Sequence, residues 1–91
     1  MYKRQTEISV RVTVRYFAAA RAAAGADTET IGLRAGATVA DLVELLKARD
    51  AGLAKVLARC SYLRDGIAVR NLASELGDAQ TIDVLPPFAG G

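Results

Sequence analysis

Histidine is absent from the 91-residue chain, which removes the commonest general base and metal ligand. Cysteine occurs once, at Cys60, so no disulfide can form within the chain, as suits a reducing compartment. Aromatic residues make up 5% of the sequence, which argues against the base-stacking platforms of RNA-binding modules. Charge of one sign is not concentrated either. Twelve Lys and Arg stand against 10 Asp and Glu, a net charge of +2, with no like-charged run that would serve as a nucleic-acid footprint. Met1-Tyr2-Lys3-Arg4 is basic, but no apolar stretch of signal-peptide or membrane-spanning length follows it. A cytoplasmic protein with neither nucleic-acid nor membrane partners is the expectation. Missing too are a metal-ligand cluster, a glycine-rich phosphate loop and a nucleophile-and-base pair. The chain is therefore expected to hold no metal or cofactor and not to be an enzyme by itself, its chemistry being done on it by partners.

What is present reads as one small folded domain. Hydrophobic residues make up 52% and charged residues 24%, an ordinary balance for a globular chain with modest surplus burial. Residues 1–7 read as an N-terminal extension, 8–85 as the domain and 86–91 as a tail. Over residues 8–17, Ile8, Val10, Val12, Val14 and Tyr16 alternate with Ser9, Arg11, Thr13 and Arg15, the period of a strand with one apolar face. The alanine-rich run 18–24 predicts a short helix stopped by Gly25, residues 28–33 a second strand, and residues 34–37 a turn. Thr38-Val39-Ala40-Asp41 has the capping-box pattern, and Val39, Leu42, Val43 and Leu46 give the following helix a stripe that must lie on a sheet. Lys47 and Arg49 suit its C-terminal end, and Leu53, Val56 and Leu57 suggest a further helical turn. Asp65-Gly66, flanked by Tyr62-Leu63-Arg64 and Ile67-Ala68-Val69, predicts a type I′ hairpin. After a turn at Gly77-Asp78, the last strand spans 81–85 with Ile82 and Val84 inward. The order predicts an α+β layer, a mixed sheet packed on one main helix. Cys60 reads first as a small apolar residue opening a buried strand, and only second as a thiol able to accept a persulfide.

The sequence ends on Leu85-Pro86-Pro87-Phe88-Ala89-Gly90-Gly91. Two prolines lack backbone N–H groups and fix φ, so Pro86 and Pro87 end a strand and set an extended exit. Beyond them Phe88 offers one large apolar side chain, while Ala89, Gly90 and Gly91 are thin enough to enter a tunnel. At full extension, residues 86–91 reach roughly 20 Å. A terminal carboxylate on Gly91, with no Cβ beside it, has the geometry wanted for turning a C-terminus into an activated acyl group. The same stretch also fits a strand stop followed by a frayed terminus.

Leu85 to Gly91 resembles the C-terminal signature of the small, sulfur-carrying subunits of molybdopterin synthase, a ubiquitin-related family. The resemblance extends over about residues 8–91, through Tyr16-Phe17, Thr38-Val39-Ala40-Asp41-Leu42 and the Asp65-Gly66 turn. Two departures stand out: members more often have Asn-Gly at Asp65-Gly66, and a Gly-Asp-Glu-type turn at Gly77-Asp78-Ala79. Membership implies a ubiquitin-like β-grasp fold with a flexible Gly-Gly tail. It implies that a ubiquitin-activating-like adenylyltransferase uses ATP to adenylate the Gly91 carboxylate, and that a sulfurtransferase donor supplies persulfide sulfur to form a thiocarboxylate. Inserted into the synthase large subunit, the thiocarboxylate would give sulfur to cyclic pyranopterin monophosphate during molybdenum cofactor biosynthesis. On this reading Gly91 carries the reacting atoms, Gly90 and Ala89 allow passage, Phe88 anchors in the partner's groove, Pro86 and Pro87 set direction, and Arg11 and Arg15 help steer docking. Other readings stay open: a sulfur carrier for thiamin thiazole or cysteine synthesis, a protein modifier joined to lysines through Gly91, or a binding module with an inert tail.

Overall fold

A computed structural model describes residues 9–87. Five strands and three helices follow in the order β1 Ser9–Tyr16, α1 Ala18–Ala24, β2 Thr28–Arg34, α2 Val39–Lys47, α3 Ala51–Leu57, β3 Ser61–Arg64, β4 Ile67–Ala68 and β5 Thr81–Leu85. The sheet is ordered β2-β1-β5-β3-β4. β1 runs antiparallel to β2 and parallel to β5, and β5 runs antiparallel to β3. This mixed sheet with helices across one face is the ubiquitin-like β-grasp arrangement.

The alternation in β1 becomes burial directly. Val10, Val12, Val14 and Tyr16 are buried while Ser9, Arg11 and Arg15 are exposed. Ile82 and Val84 of β5 and Tyr62 of β3 share that face, and Val39, Leu42, Val43 and Leu46 of α2 with Leu53 and Leu57 of α3 close over it. β1 and β5 bury every second residue, so a one-residue slip of either would expose its inward set.

The N-terminus of α2 is fully provided with acceptors. Thr38 accepts from the Asp41 N–H at 3.1 Å, and Asp41 accepts from the Thr38 N–H at 2.9 Å, completing the capping box. The next two helical N–H groups donate outside the helix, Val39 to the Ser74 carbonyl at 3.1 Å and Ala40 to the Leu72 carbonyl at 2.8 Å. Those four donors have no intrahelical acceptor, so the loop crossing the helix start satisfies what the cap leaves over. Leu76 follows in the same loop, buried, with its N–H on the Ala37 carbonyl at 2.8 Å. A separate cap opens α3, where Asp50 accepts from the Leu53 N–H at 2.8 Å, so the helical turn expected around Leu53 is a seven-residue helix.

Both tight turns use left-handed backbone. Asp65 at φ 49° and Gly66 at φ 85° form the expected hairpin between β3 and β4. The turn before β5 falls one residue later than Gly77-Asp78, because the left-handed residue is Ala79 at φ 65°. Asp78 holds it there by accepting from the Arg11 N–H at 2.8 Å, while the Ala79 N–H donates to the Arg11 carbonyl at 2.8 Å.

A polar contact ties β1, β2 and the end of α2 together. The Tyr16 hydroxyl donates to Glu29, which also accepts from Arg49 at 3.0 and 3.2 Å. Partial burial pushes the Glu29 pKa up, but the hydrogen bonds from Tyr16 and Arg49 outweigh it and leave the group below its usual 4.5. Burial, with the hydrogen bond to Glu29 behind it, raises the Tyr16 phenol well above its usual 10.0. The signs are opposite. Glu29 contributes stability that is present above pH 4.5 and lost as pH falls through its lowered folded pKa, and Tyr16 contributes stability that is lost as pH rises beyond 10. Glu29→Gln should cost about 1 kcal/mol at neutral pH, the scale for a solvent-screened pair with one hydrogen bond. Thermal unfolding from pH 7 to pH 3 checks it: the gap between variant and parent should close on the acid side, and a gap independent of pH would remove the Glu29 charge from the account.

Candidate functional site

The site is built where β5 leaves the sheet. β5 is the middle strand, paired on one side from Thr13↔Thr81 to Tyr16↔Val84 and on the other from Ser61↔Leu85 to Arg64↔Ile82. The Phe17 N–H donates to the Val84 carbonyl at 3.2 Å, extending the ladder to the last inward residue. Pro86 then ends the strand, since it has no N–H to give a neighbour. Its ring is buried, and Pro87 is exposed. The chain beyond β5 thus starts from a root fixed on both flanks.

Beside that root lies a groove of about 570 Å³ lined by Ala19, Lys55, Val56, Ala58, Arg59, Pro86 and Pro87. Its floor is apolar, and its charged residues are both cations. The remaining tail residues assigned roles from the sequence, Phe88, Ala89, Gly90 and Gly91, lie outside the described residues.

The two arginines expected on the open sheet face differ. Arg11 is exposed, its backbone held by the turn at Asp78. Arg15 is engaged instead: its Nε lies 3.0 Å from Asp83 Oδ1, and its guanidinium carbon sits 5.3 Å from the centre of the Phe17 ring. Asp83 Oδ1 is buried and receives no aligned hydrogen bond, so the approach is an ion pair rather than a directed hydrogen bond. With Asp83 only 14% exposed, the half-exposed Arg15 covers a carboxylate in the middle of the sheet.

Cys60 sits just before β3, half-buried, and its thiol donates to the Val56 carbonyl at 3.2 Å. Burial raises its pKa, which disfavours the thiolate needed for sulfur chemistry. The neighbouring Tyr62 donates to the Leu57 carbonyl at 3.0 Å, and burial with the nearby Cys60 pushes its pKa up to about 12. Both belong to the packing of α3 on the sheet. No helix among the described residues is long and apolar enough to cross a membrane.

The model of the ThiS family matches residues 14–91. The chain belongs to this family. It is 31% identical over 83 residues to the molybdopterin synthase sulfur carrier subunit of Chlamydomonas reinhardtii, covering 90% of this chain and all of that protein. Among solved structures, a candidate molybdopterin converting factor subunit 1 from Pyrococcus furiosus superposes with a TM-score of 0.79 at 35% identity, covering 86% of this chain and 98% of that one. A complex of subunits 1 and 2 of the molybdopterin-converting factor from Helicobacter pylori contains a chain matching with a TM-score of 0.65 at 27% identity, over 90% of this chain and all of that one. The family match takes in β5, both prolines and the four residues after them. Sequence reasoning found that stretch and missed Lys55 and Arg59. No helical spacing marks the pair, since Lys55 lies in the last turn of α3 and Arg59 in the turn that follows Ala58.

Proposed function

We propose that this member of the ThiS family is the sulfur-carrier subunit of a molybdopterin synthase. The observation that carries the reading is the match along the whole length of the Chlamydomonas reinhardtii relative that bears that name. The Helicobacter pylori complex of subunits 1 and 2 supports a large catalytic subunit as the partner. In the proposed cycle a Gly91 carboxylate oxygen attacks the α-phosphorus of ATP on an adenylyltransferase, and pyrophosphate leaves. The mixed anhydride makes AMP the leaving group, where a bare carboxylate would have to expel oxide. The terminal sulfur of a donor protein's persulfide then displaces AMP to give an acyl disulfide, and a thiol attacks the donor's sulfur, leaving a disulfide and releasing the Gly91 thiocarboxylate. In the large subunit that sulfur passes to cyclic pyranopterin monophosphate. Two such transfers complete the dithiolene.

The test uses the full chain with a chemically installed Gly91 thiocarboxylate, a synthase large subunit and cyclic pyranopterin monophosphate. Molybdopterin that appears only with the thiocarboxylate is the expected result. No product, with the large subunit shown active with another carrier, would move the chain to a different sulfur acceptor or to conjugation. Phe88 is assigned to the partner's groove in this scheme. Phe88→Ala should weaken binding to the large subunit by about 10- to 100-fold, the range for a buried aromatic anchor. An unchanged dissociation constant in titration calorimetry would remove that role.

A further inference from the structure

The groove at the root of β5 is unusual in its composition. Val56, Ala19, Ala58 and the two prolines give it an apolar floor and walls, and Lys55 and Arg59 are its only charged residues. The four ion pairs among the described residues all lie elsewhere: Arg15 to Asp83, Arg21 to Asp27, Lys47 to Glu44 and Arg49 to Glu29. Lys55 and Arg59 have no ion-pair partner among the described residues, and both are exposed. Favourable placement near the C-terminal end of α3 accounts for a cation at that point of the helix. It does not account for Arg59, which lies in the turn after the helix beside the same apolar hollow, lined on its other side by Pro86 and Pro87.

We infer that this groove is a docking surface for the synthase large subunit, which seats there an apolar side chain flanked by carboxylates. The inference rests on the carrier reading above and adds the site and its chemistry. Two observations choose the occupant. The groove is continuous with Pro86 and Pro87, so a protein that encloses the residues after Pro87 abuts it. Its charge is of one sign, so the complement is acidic at the rim and apolar at the centre. Cations at the rim act mainly through the association rate and its salt dependence.

The experiment measures binding of the full chain to a synthase large subunit at low and high salt, for the parent, for Lys55→Glu with Arg59→Glu, and for Lys55→Gln with Arg59→Gln. Arg34→Glu with Arg70→Glu is the control for net charge, with both cations outside the groove. The glutamate pair should weaken binding about tenfold or more at low salt, the glutamine pair less, and both should flatten the salt dependence seen with the parent. The control should bind within about twofold of the parent once screened. Unchanged binding in the glutamate pair, with its melting temperature unaltered, overturns the groove and leaves the carrier reading standing. An equal loss in the control also overturns it, since net charge alone would then explain the effect. A parent that fails to bind any synthase large subunit overturns the carrier reading and the groove together.

Discussion

Deleting Gly91 should reduce molybdopterin formation to background while leaving the domain folded. In the proposed cycle the reacting carbon is the last one of the chain. Without Gly91 the terminal carboxyl group moves back by about 3.5 Å, the span of one extended residue. A reacting group misplaced by as little as about 1 Å can cost about 100-fold, so a shift several times larger leaves no productive pose. Gly90→Leu tests the same geometry differently, by keeping the carboxylate in place and putting a branched side chain where the partner's tunnel must close. Neither change touches the core, which is made by residues 10–84, and Leu85 ends the last strand. Melting temperature and circular dichroism should match the parent. Product formation by either variant within a few-fold of the parent, measured in the reconstituted synthase, would end the tail model.

Ile82→Ala should act from the opposite end of the problem, through the fold. Ile82 is fully buried in the central strand, beside Val14 in β1 and opposite Arg64 in β3. Removing three carbons where neither flanking strand can shift without breaking its ladder leaves a cavity, and such changes cost about 3–4 kcal/mol. A domain of this size holds only about 5–14 kcal/mol in total. The variant would thus lose about a fifth or more of its stability, read as a lower denaturant midpoint with an unchanged slope. A loss below about 1 kcal/mol would mean that the helices collapse onto the gap, and that the sheet is less rigid than its ladder implies. Carrier activity per folded molecule should be preserved, which separates this variant from the Gly91 deletion.

The parts of the fold legible in the sequence are those with a local physical cause. Alternation wrote β1, the Thr38 and Asp41 pair wrote the start of α2, and Asp65-Gly66 wrote its hairpin. The parallel pairing of β1 with β5 has no such local mark, because it joins residues such as Val14 and Ile82 that are far apart in the chain. Leu76 was missed because it lies in a segment with no strand or helix, where no period tells buried Leu76 from exposed Leu72. Ala79 was missed because alanine gives no warning of a left-handed backbone, which there is imposed by bonds to Arg11. Gly77, the expected pivot, donates its N–H to the Gln80 side chain at 2.8 Å and is not left-handed. At the candidate site, the tail could be read as a motif, since its meaning lies in consecutive residues. The groove beside it could not, since Ala19, Lys55, Arg59 and Pro86 come from three separate stretches. The pairing of Arg15 with Asp83 could not be read either, since the two are distant in sequence.

The placement of β5 in the middle of the sheet also governs when the protein comes into being during synthesis. Strands β1 and β3 have no neighbour on their inner sides until residues 81–85 arrive to join them. A chain stopped short of Thr81 would carry two unpaired inner edges and an uncovered apolar face, the condition that invites aggregation and proteolysis. Pairings this remote in sequence also form late, after the local helices and the hairpin. A copy that folds has therefore been translated at least as far as Leu85, the last residue of β5. Folding thus screens out chains that stop before β5, and a partner that recognises the finished sheet meets few of them.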